Sequence, residues 1–277
     1  MQTVIEYLNI ETGEVSELLS TNVRMSTPTW FPDCETLLSN VYGRLHQFSR
    51  ADPRLKLVDT QYLNDVHCDY GLSPNGMELA LTNKCSNGVA RIYIRDMQTG
   101  EVRVVVNQSP AWFHGWSPDG THLIYVCVRN NQWTIAQTRA DGSGKEQIVL
   151  RSDEFSSTIL DGPEFSPDGR YIWFSSDRSG TMELWRQELA TGESEQMTDD
   201  IGANFFPHPS PDGAHVCFLK KKCVRGDWRE DGMVELWLLS SNEKNPIHLR
   251  TVYGGKGTLN LPSWSPAGDG FAYARYS

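Results

Sequence analysis

The chain has 277 residues and a formal net charge of −10, from 25 Lys and Arg residues against 35 Asp and Glu residues. Phosphate groups are bound by clustered cations, so this charge balance predicts a protein that binds neither nucleic acid nor an anionic membrane. The length is enough for one substantial hydrophobic core, and we expect residues 1–277 to form a single domain and a monomer.

The chain begins with an amphipathic segment, TVIEYLNIETGEVSELLS, which predicts two strands joined by a tight TGE turn at Gly13. This segment lacks the basic stretch and apolar run of a secretory leader, and no later run is long and apolar enough to cross a membrane. We therefore expect a cytoplasmic protein.

A four-residue turn signature recurs six times along the chain. In SPDG, the Pro presets the backbone for a type I turn and the Gly accepts the conformation that follows, so each copy predicts the tip of a β-hairpin. Successive copies start 42, 44, 49, 44 and 55 residues apart. These spacings lie inside or near the period of roughly 40 to 50 residues expected for four-stranded propeller blades. The copies are FPDC from Phe31, SPNG from Ser73, SPDG from Ser117, Ser166 and Ser210, and SPAG from Ser265.

Each turn is followed by short stretches in which apolar and polar residues alternate, with Gly, Asp or Asn at the breaks. A period of two predicts strands, and four of them fit in one repeat. The last copy stops after two strands, and the N-terminal segment supplies the missing two. The pattern therefore predicts an all-β fold: a six-bladed β-propeller of four-stranded antiparallel blades, closed by N- and C-terminal strands that share one blade. A two-sheet sandwich explains neither the phase of the repeat nor the split sixth copy.

The six cysteines include no C-x-x-C spacing and predict reduced thiols rather than a disulfide framework. Cys127 and Cys217 fall in the second strand of their repeats, where small buried hydrophobic residues are expected. Cys68 and Cys85 are predicted to lie in loops.

Polar side chains gather in the segments just before the turns, where the innermost strand of each blade begins. Side chains on innermost strands face the central channel, so residues from different blades are predicted to converge into a polar ring at one mouth. The predicted ring comprises His67, Asp69, His114, Asp161, Glu164, Asn204, His208, Asn260 and Ser263.

A rim of aromatic and basic side chains is predicted around this ring. A basic insertion, KKKCVRGDWREDG, lies between the second and third strands of the fifth repeat and would overhang the same mouth. A solvated surface loop is the simpler interpretation of this insertion, because inserted repeat loops are commonly tolerated surface variation. The predicted rim residues are Trp112, Phe206, Lys221, Arg225 and Trp228.

Three histidines of the ring, His67, His114 and His208, are candidate metal ligands. Imidazole and carboxylate groups suit Mn, Zn or Fe, so a divalent ion at the channel mouth is one hypothesis. The alternative is that these groups hydrogen-bond to ordered channel water and to neighbouring loop backbone.

The SPDG hairpins with following strands such as IWFSS resemble the TolB-like, WD-like propeller repeats, and the resemblance covers all six blades. The stretches DGPEFSPDG, NFFPHPSPDG and GGKGTLNLPSWSPAG together resemble a group of short, single-domain TolB-related proteins. The chain also resembles oligogalacturonate lyases, which share this propeller; that resemblance implies a metal held by channel-mouth histidines.

Two function classes follow from the sequence. The first is a binding or scaffold propeller that captures an unknown protein, a peptide or a small polar ligand at the channel mouth and its rim. The second is a metal-dependent lyase or hydrolase acting on acidic sugars, and the sequence assigns it no catalytic residue. A peptidase is set aside because the chain has no G-x-S-x-G elbow.

Overall fold

The computed structural model describes residues 2–85, 88–152, 158–222 and 231–277. These residues form six antiparallel sheets arranged in a ring, which confirms the predicted six-bladed β-propeller. We number blades 1 to 5 along the chain from β3–β6 to β19–β22, and blade 6 contains the two ends of the chain. No helix in the described ranges is long and apolar enough to span a membrane.

The strands are short and follow one another from the inside of a blade to its outside. One turn of 3-10 helix, η1 (Lys256–Thr258), interrupts the series between blades 5 and 6. In chain order the strands are β1 (Thr3–Asn9), β2 (Val15–Thr21), β3 (Thr29–Trp30), β4 (Thr36–Val41), β5 (Arg44–Ser49), β6 (Lys56–Leu57), β7 (Val66–Leu72), β8 (Glu78–Lys84), β9 (Ala90–Asp96), β10 (Val102–Val106), β11 (Ala111–Trp116), β12 (His122–Arg129), β13 (Gln132–Arg139), β14 (Gln147–Arg151), β15 (Leu160–Phe165), β16 (Tyr171–Ser176), β17 (Glu183–Glu188), β18 (Ser194–Gln196), β19 (Ala203–Pro209), β20 (His215–Lys221), β21 (Gly232–Ser240), β22 (Ile247–Gly254) and β23 (Gly270–Tyr276).

All six predicted turn signatures form hairpins between the first and second strands. In five copies the Gly N–H donates to the carbonyl oxygen of the first Ser at 2.8 Å, as at Gly120 and Ser117, and the Gly has a positive φ. In the first copy Cys34 occupies that position at φ 58°, and its N–H lies 3.3 Å from the Phe31 carbonyl oxygen. A left-handed conformation is costly for a residue with a Cβ, so this turn closes less tightly.

The two ends of the chain share blade 6, as predicted. Strand β1 pairs with β2 on one side and with β23 on the other, in register from Thr3↔Tyr276 to Asn9↔Gly270. Beyond this ladder Gln2 and Ser277 exchange both backbone hydrogen bonds, at 2.8 and 3.0 Å.

The innermost strand of blade 6 is very short. A fourth strand is reduced there to a single bridge between Trp264 and Phe271. Pro262 and Pro266 flank this bridge, and a proline has no N–H to donate to a ladder.

The hydrophobic core lies between neighbouring blades. One cluster packs Ile5 and Ala272 of blade 6 against Trp30 and Phe48 of blade 1. Another packs residues of blade 2 against blade 3 in the same way. Each blade therefore depends on both neighbours to cover its two faces.

An indole hydrogen bond crosses between blades at three equivalent positions. The Trp that directly precedes a turn signature donates its Nε1–H to a backbone carbonyl oxygen on the inner segment of the preceding blade. The three bonds are Trp30 to Ser263 at 3.0 Å, Trp116 to Gly71 at 3.0 Å and Trp264 to His208 at 2.8 Å.

We expect the closing blade to control the stability of the whole ring. Deleting residues 1–21 removes β1 and β2 and exposes the blade 1 and blade 5 faces that they cover, so cooperative unfolding should be lost or its midpoint should fall steeply. The matched control is a circular permutant that links Ser277 to Gln2 and opens the exposed turn at Gly142. In thermal unfolding, we expect the permutant, but not the deletion variant, to melt at the same temperature as the intact chain. A deletion variant that melts like the intact chain would contradict this account.

We expect the indole hydrogen bonds to contribute measurably to stability. Trp116→Phe leaves the Gly71 carbonyl oxygen without its donor and should lower the free energy of unfolding by about 1–3 kcal/mol. Trp185→Phe is the control, because Trp185 Nε1 is buried and has no hydrogen-bond partner among the described residues. Denaturant unfolding compares the two variants, and equal losses would show that the indole bond is unimportant.

Candidate functional site

The inner strands of four consecutive blades leave the regular ladder at similar positions. A bulge places extra residues opposite the second strand, bends the chain and redirects side chains. The register shifts lie between Val66 and Tyr70, Phe113 and Gly115, Asp161 and Glu164, and Phe205 and His208. Most of the predicted ring residues lie in these bulges or at their borders.

A cavity of about 380 Å³, which we call the mouth cavity, opens where the inner strands of blades 2, 3 and 4 meet the loop that carries η1. Its walls combine polar groups from the bulges with Lys84 and with apolar residues of β12, β13 and β15. The polar groups of the bulges and of η1 are His67, Cys68, Asp69, His114, Asp161 and Lys256.

His67 and Asp69 form a close pair on the blade 2 side of the mouth cavity. His67 Nδ1 lies 2.6 Å from Asp69 Oδ2, and the Asp69 side chain is 2% exposed. The Asp69 carboxylate raises the pKa of His67 to about 10 against the opposing effect of burial. Burial alone would raise the pKa of Asp69, but the positive charges of His67 and Lys256 outweigh it and hold that pKa below its usual value. The pair is therefore ionic at neutral pH.

His114 and Asp161 face this pair from blades 3 and 4. His114 Nε2 lies 3.4 Å from Asp161 Oδ1, and Lys256 Nζ lies 3.7 Å from the other oxygen of the same carboxylate. Burial lowers the pKa of His114, although Asp69 and Asp161 act in the opposite direction. The His114 imidazole is therefore neutral where His67 is charged, so the cavity holds two histidines in different protonation states.

His208 lies between blades and has both ring nitrogens engaged. Its Nδ1 is 2.6 Å from Glu164 Oε2 and its Nε2 is 3.2 Å from the Leu259 carbonyl oxygen. Burial raises the pKa of Glu164, and His208 partly offsets that effect. His208 thus links blades 4, 5 and 6, and it does not line the mouth cavity.

Three other predicted ring residues are also buried in the packing. Asn204 donates to Glu183 at 2.8 Å and to Asp200 at 2.9 Å. Asn260 donates to the Cys68 carbonyl oxygen at 2.9 Å, which holds the blade 2 bulge in place. Ser263 offers its carbonyl oxygen to Trp30.

Among the described residues, the predicted rim likewise divides into one residue that lines the mouth cavity and others that are buried. Trp112 lines the mouth cavity, whereas Phe206 is buried with its ring 5.3 Å from Lys256 Nζ. Lys221 is buried on β20. Arg225 and Trp228 lie outside the described residues, so the predicted overhang of the basic insertion stays a prediction.

The structure adds seven cavity residues that sequence reasoning missed: Cys68, Lys84, Val126, Trp133, Ile159, Leu160 and Lys256. Cys68 lies in β7, so its prediction as a loop residue was wrong; the bulge makes this strand look irregular in sequence. The signal for Lys256 was present in GGKGT, where a lysine stands between glycines in the longest spacing between turns.

The predicted set of three metal-binding histidines is not gathered in one place among the described residues, because His208 is engaged elsewhere. His67 and His114 do share the mouth cavity. One mixed donor set is assembled there: His67, Cys68 and Asp69 each offer a ligand atom, and these atoms lie within 4.8 Å of one another.

We expect His208 to be a structural residue. His208→Ala removes the partner of a largely buried carboxylate and should lower the free energy of unfolding by about 3 kcal/mol. His46→Ala is the control, since His46 is half-buried on β5 and its Nδ1 lies 3.2 Å from the Arg44 carbonyl oxygen, with no carboxylate partner among the described residues. Denaturant unfolding compares the stabilities of the two variants. If His208→Ala is as stable as His46→Ala, His208 is again a candidate ligand-binding residue.

Comparisons with known proteins agree with the fold. The family described as TolB beta propeller domain matches residues 70–277. The uncharacterized protein Atu1656 of Agrobacterium fabrum is 36% identical over 277 residues, which is 100% of this chain and 93% of that protein. A solved structure from Agrobacterium tumefaciens, provisionally named TolB, has a TM-score of 0.93 at 36% identity and covers 100% of this chain and 99% of that one.

More distant relatives share only part of their length or only the fold. The Tol-Pal system protein TolB of Francisella tularensis is 32% identical over 108 residues, which is 37% of this chain and 24% of that protein. An oligogalacturonate lyase in complex with manganese has a TM-score of 0.60 at 13% identity, with 91% of this chain and 74% of that chain covered. This last likeness shows the fold alone. The full-length relative and the domain match together place the chain in the TolB beta-propeller domain family.

Proposed function

We propose that this protein is a binding propeller that captures an acidic peptide segment of a partner protein in the mouth cavity. The observation that carries the proposal is the combination, in one cavity, of two lysines with a wall of two tryptophans. Binding sites for peptides commonly combine aromatic anchors with a few polar groups that orient the ligand.

The aromatic wall supplies apolar contact area. The rings of Trp112 and Trp133 lie 5.8 Å apart between centroids, tilted by 32°, and both residues are half-buried. Ile159 and Leu160 continue the apolar surface. An apolar or aromatic side chain of the captured segment would displace water from this wall.

The lysines supply the preference for acidic residues. Lys84 is exposed at the end of β8, and Lys256 is held near Asp161 by η1. The protein as a whole carries a formal charge of −10, which repels acidic partners. Local cations at the mouth therefore favour binding of an acidic segment there over the rest of the surface.

The relatives support a protein partner but do not identify it. The Francisella tularensis relative is named as part of the Tol-Pal system, and the match covers 24% of its length, so we propose no membership of that system for this chain. The lyase alternative gains no support from the described residues, because His208 does not join His67 and His114. The cytoplasmic location stays a prediction.

An array of short synthetic peptides tests the proposal. Acidic peptides that contain one aromatic residue are compared with matched peptides in which Gln replaces each acidic residue, and hits are measured in solution by fluorescence anisotropy. We expect acidic peptides to bind and Lys84→Glu or Lys256→Glu to weaken binding at least tenfold, which corresponds to about 1.4 kcal/mol.

Lys56→Glu is the matched control, because Lys56 is exposed on the outer strand β6. This variant has the same change of net charge and should bind as the original chain does. Equal binding of the acidic and Gln peptides, or equal losses in all three variants, would overturn the proposal.

A further inference from the structure

Three consecutive residues of β7, His67, Cys68 and Asp69, present their ligand atoms to one point. Successive side chains of a regular strand point to opposite faces, so three neighbouring residues cannot normally bind the same ion. The bulge between Val66 and Tyr70 removes this constraint. Their donor atoms all lie within 4.8 Å of one another, at the wall of the mouth cavity.

The distances between these atoms resemble the edges of a zinc tetrahedron. Zinc bonds of about 2.3 Å to sulfur and about 2.0 Å to nitrogen or oxygen, at tetrahedral angles, separate the sulfur from the other two ligands by about 3.5 Å. Cys68 Sγ lies 3.4 Å from His67 Nδ1 and 3.5 Å from Asp69 Oδ1. His67 Nδ1 lies 2.6 Å from the other oxygen of the same carboxylate, Asp69 Oδ2, and a bound ion would replace this hydrogen bond.

The backbone of this segment is held by amide side chains from blade 1 and from the loop before blade 6. Asn260 Nδ2 donates to the Cys68 carbonyl oxygen at 2.9 Å. Asn40 Nδ2 donates to the carbonyl oxygens of Val66 at 2.8 Å and His67 at 3.1 Å. These bonds fix the bulge before any ion binds, and such outer contacts are what orient metal ligands in proteins.

We propose that His67 Nδ1, Cys68 Sγ and an Asp69 carboxylate oxygen form a three-ligand site for Zn²⁺, with the fourth coordination position open to the mouth cavity. The thiolate selects zinc over manganese, which prefers oxygen ligands. Three protein ligands with one open position are the arrangement in which zinc binds an exchangeable fourth ligand. Carboxylate oxygens and water are the ligand classes that the cavity would supply.

The charge of the proposed site agrees with the neighbouring lysines. The ion contributes two positive charges, and the Cys68 thiolate and the Asp69 carboxylate contribute one negative charge each. The centre is therefore neutral and does not repel Lys84 or Lys256 across the cavity. The metal site does not depend on the proposed peptide binding, and either proposal can fail alone.

Cobalt titration of the full chain tests the site directly. The protein is purified without an affinity tag, stripped with a chelator and titrated with Co²⁺, whose thiolate complexes give a charge-transfer absorption in the near ultraviolet. We expect this absorption to saturate at one equivalent and to be reversed by Zn²⁺. Loss of a contact that merely supports a ligand typically costs roughly 10- to 100-fold in affinity, so Cys68→Ser, which removes a ligand, should weaken binding at least 100-fold.

Matched variants separate this site from incidental binding to thiols. Cys34→Ser removes a thiol in a turn outside the mouth cavity and should leave the titration unchanged. His67→Gln should weaken binding without abolishing the thiolate absorption. The cobalt titration of Asp69→Asn is interpreted only if the circular dichroism spectrum of this variant matches that of the original chain. If it does not match, the test rests on Cys68→Ser, since serine is nearly isosteric with cysteine.

The absence of the absorption in the original chain would overturn the proposal. Its survival in Cys68→Ser, or an equal loss in Cys34→Ser, would do the same. The peptide array is run with chelator present, so a failure to bind cobalt cannot be mistaken for a failure to bind peptides.

Discussion

The antiparallel pairing of β1 with β23 is the constraint on which the rest of the structure depends. The hydrophobic clusters lie between blades, so every blade needs two neighbours and the ring is complete only when its two ends meet. The mouth cavity has the same requirement, because its walls come from the inner strands of blades 2, 3 and 4 and from the loop before blade 6. Asn260 donates to the Cys68 carbonyl oxygen of blade 2, and Lys256 lines the mouth cavity with His67 and Asp69, although both lie in the segment before blade 6. The site is thus a property of the ring and not of any single repeat.

Bulges in the inner strands require acceptors for the backbone N–H groups that they release, and the neighbouring blades supply them. A bulge leaves N–H groups without a ladder partner, and buried N–H groups need an acceptor. Hydroxyls on the second strand of the preceding blade provide it: Phe113 N donates to Thr82 Oγ1 at 2.8 Å, and Phe206 N donates to Ser175 Oγ at 3.0 Å. The bulges of blades 3 and 5 are therefore paired with contacts that bind neighbouring blades together. The blade 2 bulge, which turns His67, Cys68 and Asp69 toward one point, is joined to blade 1 by Asn40.

The features that could be predicted from the sequence are those set by neighbouring residues. Turn signatures depend on four residues, and their spacing determined the number of blades and the shared closing blade. The site was only partly predictable, because the strand register determines which of its residues face the mouth cavity and which lie between blades. His114 and His208 precede their turns by three and two residues, and one lies in the mouth cavity while the other is bonded between blades. A shift of one residue changes the face of a strand, and bulges alter that count without a clear sequence signal.

Electrostatics makes the two proposals compatible. Without a metal, the protonated His67 and the Asp69 carboxylate form an ion pair with no net charge. With Zn²⁺ bound, the ion balances a thiolate and a carboxylate beside a neutral imidazole. This corner of the cavity is neutral in both states, so the attraction for an acidic segment is set by Lys84 and Lys256 against Asp161. Metal binding would then change the short-range chemistry offered to a bound carboxylate, through the open coordination position, while the long-range field at the mouth stays the same.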